Sequence, residues 1–419
     1  MQTQDFMIQT SAYVATRERA LTPLWKYIAT CWMGATSMAV CAMSAWDSRL
    51  SFHGGCDTIS TMDATRRQAL AGAAALALSG AFPHPLSALR LEGAKPPTVR
   101  PGRLRPGDTV GLIDPASATW EPVNVEIIEE SWAALGFKTK RGVHLLERRG
   151  YFAGTDEQRA GDVNAMFADP EVRAIQCVRG GWGCARLLPL LDWATIARNP
   201  KILLGYSDIT ALLLSLFAKA GLVTFHGPLG ISQWNPFNVG WVKRVLQDGE
   251  AVTFENPKEI GEDDLVVVEN RVQTLHPGTA RGRLLGGNLT VLTALVGSAY
   301  LPDWDGCILF IEDVEEAPYR IDRMLTQLRL SGILQKARAV IWGNCSDCDP
   351  GEGYGSLTVT EVLQDHIRPL GVPAWQGAMI GHIERQFTLP VGVEVEVDAT
   401  AGTIRMLEPA VVDSPTPPR

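Results

Sequence analysis

A serine, two histidines and a pair of carboxylates stand where short apolar runs break off in this chain. Ser207 follows Ile202-Leu203-Leu204-Gly205-Tyr206 and precedes an Ala/Leu-rich segment reaching about Lys219. That pattern predicts a buried strand, a tight turn and a helix. A serine on such a turn stands clear of the backbone, and the helix behind it favours incoming negative charge, as an acyl-transfer nucleophile requires. A plainer reading competes, because Ser and Asp are preferred helix caps and Ser207 or Asp208 could serve only as one. Glu312 and Asp313 close the run Cys307–Ile311, and His382 follows Met379-Ile380-Gly381. Serine, imidazole and carboxylate together suit acyl transfer: the imidazole takes the serine proton, and the carboxylate fixes its tautomer and stabilises the imidazolium. Each also has a structural reading, Glu312 and Asp313 as helix caps and His382 as a hydrogen-bonded strand-end residue. His226 competes for the role of base, since it ends the next strand in Thr224-Phe225-His226-Gly227-Pro228. Spacing alone does not choose between His226 and His382.

Arg179-Gly180-Gly181-Trp182-Gly183 is a further strand-end loop whose backbone can approach a ligand closely. Its N–H groups, with that of Asp208, could stabilise an oxyanion. A phosphate loop is the alternative, but the stretch has neither GK[ST] nor GxGxxG.

The elements that must position these residues alternate. Strands are expected at Asp108–Asp114, Thr139–Leu145, Ala174–Arg179, Ile202–Tyr206 and Val223–Phe225, with helices at Val123–Leu135, Asp156–Phe167, Ala185–Leu191 and Ile209–Lys219. Repeated βαβ units with apolar strands predict a mostly parallel sheet covered by helices, with its site at the carboxyl ends of the strands. The fold class is therefore α/β in two domains: an N-terminal one over 96–245 and a smaller C-terminal α/β domain over 281–409, joined by a connection at 246–280. The second domain should contain strands Arg281–Leu285, Cys307–Ile311, Ala339–Trp342 and Ala378–Ile380. It should also have helices from Asn288, around Ile321–Leu328 and near Val359–Ile367, and a hairpin of Val393–Val397 with Thr403–Leu407. Residues 410–419 are expected to form a disordered Ser/Pro-rich tail.

An apolar content of 46% with 20% charged residues is ordinary for a globular protein, and a net charge of -8 argues against a nucleic-acid partner. Residues 1–61 look foreign to the rest and are read as a non-native upstream extension. Within them Ile28–Trp46 is uncharged and long enough for a membrane span, but is diluted by Thr, Ser and Gly. Arg66-Arg67 ahead of a short Ala/Leu run, ending in small residues at Ser79 and Ala81, has the layout of a twin-arginine export signal, with a linker to residue 95. Export would make the mature protein periplasmic or otherwise extracytoplasmic, with no stable membrane insertion once the signal is removed; without a working signal it would be cytoplasmic. The cysteines past residue 100 are odd in number and form no disulfide framework. Cys345 and Cys348 form an isolated CxxC, read as two incidental thiols, or as a disulfide if the protein is exported; no second pair suggests a metal site.

RGGWG, the LDW of Leu191–Trp193, KILLGYSDITALL, TFHGP, the GGNL of Gly286–Leu289, EDVEEAPYRIDRML at Glu312–Leu325 and GHIERQFTLPVG at Gly381–Gly392 occur in one order from about Thr98 to Pro409. Together they resemble the LD-carboxypeptidases, the serine peptidases that include muramoyltetrapeptide carboxypeptidase. The resemblance implies Ser207 as nucleophile, Glu312 as acid and His382 as base. It implies the Gly181 and Asp208 amides as oxyanion donors, and Gly180, Trp182 and His226 as substrate-pocket residues. It also implies two α/β domains with the site in the cleft between them, a homodimer, no metal or cofactor, and a peptidoglycan-derived peptide as substrate. A microcin-immunity-like hydrolase of peptidyl- or aminoacyl-nucleotides is the alternative within the family, with Trp234 and Trp241 in Ser232–Trp241 as candidate stacking groups. A non-catalytic wall-peptide-binding protein is the alternative outside it.

Overall fold

The computed structural model describes residues 96–413, apart from 262–263 and 351–354. The upstream extension, the twin-arginine-like segment and residues 414–419 therefore lie outside the described residues. Two sheets carry the architecture. The first is built from β1 (Thr109–Ile113), β2 (Lys138–Arg141), β3 (Val172–Cys177), β4 (Ile202–Gly205) and β5 (Thr224–His226). These are all parallel, in the order β5-β4-β3-β1-β2. β3 and β4 are buried almost end to end, as strands covered by helices on both faces must be. The covering helices include Pro122–Ala134, Asp156–Ala168 and Thr210–Ala220. Asp156–Ala168 starts with a full capping box between Thr155 and Gln158, which the Thr-x-x-Gln spacing encodes.

The second sheet is mixed. It contains β6 (Thr253–Phe254), β7 (Gln273–His276), β8 (Thr279–Asn288), β9 (Ile308–Val314), β10 (Ala339–Ser346) and β11 (Ala374–Gln376). The hairpin β13 (Glu394–Asp398) and β14 (Thr403–Met406) completes it, in the order β6-β14-β13-β8-β9-β10-β11-β7. β8 through β11 are parallel, and Pro318–Leu330 and Val359–His366 pack together over them. No helix among the described residues is long and apolar enough to cross a membrane.

Five expectations change. The stretch 246–280, expected to be a connection, supplies β6 and β7 to the second sheet; both are short edge strands, too brief to leave a period in the sequence. β2 ends at Arg141 rather than Leu145: the Gly142 amide makes the last ladder bond, to Leu112 O, and the Asp162 carboxylate then captures the His144 amide, turning the chain away. The strand expected at Ala378–Ile380 lies earlier, at Ala374–Gln376: Gly377 adopts φ +92 and ends it, and the following residues cross the end of β10. The tail expected from 410 is packed at its start, with Ala410 and Val411 buried and Val412 paired to Pro101 and Arg103. Cys345 and Cys348 form a disulfide rather than two incidental thiols.

A third strand beyond those expected, after β6 and β7, comes from the far end of the chain. β12 (Leu389–Val391) runs antiparallel to β5 and completes the first sheet, and the chain then enters β13 of the second. The two sheets thus share one continuous segment. They also meet where the Asn288 amide, ending β8, donates to Thr210 Oγ1 at 3.0 Å.

Candidate active site

β4 delivers Ser207. Gly205 lets the following helix pack close, since a Cβ there would lie 3.0 Å from Ile209 and 3.2 Å from Cys177. Tyr206 is extended, and Ser207 then takes φ +65, in the left-handed region that a side chain disfavours by about 1–2 kcal/mol. The strain turns the hydroxyl out of the strand–helix corner. Neither Ser207 nor Asp208 caps the helix through its side chain. The buried Asp208 carboxylate instead accepts the Cys184 amide at 2.8 Å, tying the turn to the residue after the glycine loop. Burial pushes its carboxyl above the usual range, against the bonds from Cys184.

β9 delivers the acid. Successive strand residues point to opposite faces, so Glu312 and Asp313 part company. Asp313 accepts from Asn288 Nδ2 and from the Thr290 amide and hydroxyl, at the start of helix Leu289–Ala294. Its carboxyl is raised to about 6 by burial and by the charge of Glu312. Glu312 faces the other way, fully buried, and its Oε2 lies 2.8 Å from His382 Nδ1. Gly381, at φ +115, makes that approach possible: a Cβ there would sit 2.8 Å from the same Oε2.

His382 closes the chain of contacts, with its Nε2 3.0 Å from Ser207 Oγ. In the neutral ring Nδ1–H donates to Glu312, which leaves Nε2 to accept the serine proton. Burial alone would lower the imidazole pKa, but the Glu312 hydrogen bond and charge outweigh it and raise the group above its ordinary 6.5. The Tyr206 ring packs edge-on against it, with centroids 4.8 Å apart.

The glycine loop lies against the serine. A Cβ on Gly180 would meet Ser207 Cβ at 2.9 Å and the Asp208 amide nitrogen at 3.5 Å, so only glycine fits. Gly181 (φ +110) and Trp182 are exposed beside it. His226, by contrast, has no exposed surface, and neither ring nitrogen has a partner among the described residues. Its ring packs between Tyr206 and Phe310, and burial pulls its pKa down to about 4. A substrate-facing role is therefore closed to His226 in this conformation, and it lies behind the site as a neutral ring.

Two supporting residues escaped the sequence reading. Asp114, at the end of β1, holds the glycine loop by accepting the Arg179 amide at 3.1 Å, and burial raises its carboxyl to about 7. Ser117 accepts the Trp182 amide at 3.2 Å and lies against Gly181. Their signal was positional only, at and after a strand's carboxyl end. Among the described residues no group of His, Cys, Asp and Glu is arranged to hold a metal ion.

Residues 110–227 match the LD-carboxypeptidase N-terminal domain, and residues 281–397 match the LD-carboxypeptidase C-terminal domain. The chain belongs to the LD-carboxypeptidase family. A probable murein peptide carboxypeptidase of Bacillus subtilis is 37% identical over 309 residues, covering 73% of this chain and 93% of that protein. The microcin C7 self-immunity protein MccF of Escherichia coli is 30% identical, over 73% of this chain and 94% of its own. Among solved structures, muramoyltetrapeptide carboxypeptidase from Oxalobacter formigenes superposes with a TM-score of 0.61 at 28% identity, covering 71% of this chain and 97% of that one. The two-domain α/β architecture is shared with these relatives, and carboxypeptidase activity follows from the family.

Proposed function

We propose that the protein is a serine carboxypeptidase that hydrolyses the L,D-peptide bond to the terminal D-amino acid of peptidoglycan tetrapeptides. The observation that carries the reading is the unbroken line of contacts from Glu312 through His382 to Ser207, at 2.8 and 3.0 Å. In the first step Ser207 Oγ attacks the scissile carbonyl carbon as its proton passes to His382 Nε2. The developing oxyanion is met by the Gly181 and Asp208 amides, and Glu312 stabilises the imidazolium through Nδ1–H. The imidazolium then protonates the departing amine, releasing the D-amino acid. Water, deprotonated by the same imidazole, attacks the ester and frees Ser207.

The alternative substrate, a peptidyl- or aminoacyl-nucleotide, is less well supported. Trp234 packs edge-on to Trp132 and donates to Gly230 O, while Trp241 packs against Phe254 and Phe387. Both rings are half-buried and already packed against the core, which counts against a stacking role. A binding-only role accounts poorly for a strained serine aimed at an imidazole that a buried carboxylate orients. The proposal extends to export through the twin-arginine-like segment and to a homodimer. N-terminal sequencing from the native host and sedimentation of the purified chain test those two parts.

The decisive assay compares D-alanine release from an L,D-linked tetrapeptide with hydrolysis of an aminoacyl sulfamoyl adenylate. Preference for the tetrapeptide, abolished in Ser207→Ala, is the expected result. Full release by Ser207→Ala would falsify the mechanism, and preference for the adenylate would move the substrate to the second reading.

A further inference from the structure

The disulfide sits beside the site. Cys345 pairs in register with Asp313, the neighbour of Glu312, and β10 ends at Ser346. Ser346 Oγ lies 2.9 Å from the backbone carbonyl of His382 and 3.0 Å from Asn344 Oδ1. One hydroxyl proton serves one acceptor, so it goes to His382 O when the Asn344 amide is turned to donate to Ser346. Ser346 is gripped on its other side as well, its carbonyl accepting the Glu315 amide at 2.8 Å. The backbone N–H of Asn344 donates to Ile380 O at 2.8 Å. The end of β10 is therefore a bracket between the strand that carries Glu312 and the loop that carries His382. The disulfide encloses Ser346 and Asp347, and Asp347 holds a left-handed φ of +56. Asp tolerates this region better than most side chains, and the two-residue disulfide loop fixes the turn in it.

We propose that Ser346 is a positioning residue for His382 and that the Cys345–Cys348 disulfide holds Ser346 in place, so that turnover depends on the redox state of this pair. The inference rests on the reading of His382 as the base. Reduction by a dithiol consumes two electrons and two protons: the S–S bond breaks, two cysteine thiols form, and the dithiol becomes a cyclic disulfide. Cys345 is half-buried, which leaves it open to a small dithiol, whereas the free thiols of Cys177, Cys184 and Cys307 are buried.

The test uses the full chain, oxidised or treated with dithiothreitol, with mass spectrometry counting free thiols. Tetrapeptide turnover and the pH titration of the His382 imidazole Cε1–H NMR signal are followed together. Reduction, the Cys345→Ala/Cys348→Ala double variant and Ser346→Ala should each lower kcat by about three- to tenfold, the weight of one lost hydrogen bond. KM should stay within about twofold, as for a group acting on the transition state rather than on binding. The titration midpoint should move, Ser346→Thr should restore most of the rate, and the double variant should ignore dithiothreitol. Unchanged kcat and midpoint in a fully reduced chain would overturn the proposal. If reduction also lowers the melting temperature below the assay, Ser346→Ala with the disulfide intact decides. If the oxidised wild type releases no D-amino acid, the functional reading has failed, and the imidazole titration still tests the bracket on its own.

Discussion

On the Ser207 side of the site, what aims the hydroxyl lies in one contiguous stretch: β4, a left-handed residue and the helix from Thr210. On the other side, the Glu312–His382 bond spans 70 positions and depends on two glycines, Gly377 and Gly381, leading the chain off β11 and over β10. The Ser207–His382 contact spans 175. The first half is held by local backbone conformation, which persists wherever the strand–helix corner forms. The second is held by register and tertiary hydrogen bonds, which fail piecemeal. Substitutions should separate the halves accordingly, with chemistry lost cleanly on the serine side and chemistry lost together with order on the other.

The largest effect belongs to Ser207→Ala, which should lower kcat by about ten-thousandfold or more while leaving the urea midpoint nearly unchanged. A large fall in that midpoint would show that the serine is part of the architecture and would blur the contrast. Glu312→Gln should cost about a thousandfold in kcat, because the amide no longer fixes the donor tautomer of His382. It should also be less stable than wild type, since a fully buried group then loses a charge-assisted bond. Its pH profile sharpens the point. The His382 pKa is raised in the fold, so the neutral base appears only as pH climbs past that raised value. The acid limb of kcat/KM should therefore lie above 6.5 in the wild type and fall in Glu312→Gln. The sign for stability runs the other way: the contribution of this group is fully present below the unfolded pKa and is lost as pH rises through the folded one.

The same contrast accounts for what could be read from the sequence. The serine corner was legible because its strand, turn and helix leave adjacent signals, although only the fold decides that neither Ser207 nor Asp208 spends its side chain on a cap. Glu312 and His382 were visible as strand-end residues but could not be joined without the motifs that mark the family. The choice between His226 and His382 turns on burial, which no spacing reports. β12, supplied to the first sheet from the far end of the chain, was missed because three buried residues carry no period. The CxxC pairing stayed open between free thiols and a disulfide, and the Ser346 bracket left no signal, since a pair of cysteines says nothing about what lies opposite them.

His226 stands where the halves meet, its ring 5.8 Å from Tyr206 and 5.3 Å from Phe310. With a folded pKa near 4 against an ordinary 6.5, the unfolded chain takes up a proton that the fold refuses as pH drops between those values. Falling pH therefore favours unfolding, by about 2 kcal/mol between pH 7 and pH 5 from this group alone. His226→Phe keeps a flat ring in a site with no hydrogen-bond partner among the described residues, and should remove most of that dependence. Urea unfolding at the two pH values measures it. Equal acid sensitivity in the variant would mean that the imidazole is already paired, for instance through a buried water to the unpartnered Oε1 of Glu312.

The smallest effect probes the serine side by itself. Ser207 sits at φ +65, where any side chain pays a steric cost that glycine avoids. Ser207→Ala and Ser207→Gly both lose the hydroxyl, so their difference isolates the backbone. Glycine relieves about 1–2 kcal/mol of strain but gives back about 0.4–1 kcal/mol through its freer unfolded chain. The glycine variant should therefore be the more stable of the two by up to about 1.6 kcal/mol in urea unfolding. If the alanine variant proves the more stable, the corner is not strained, and the serine must be aimed by the same long-range contacts that hold His382. The distinction between a locally built half and an assembled one would then disappear.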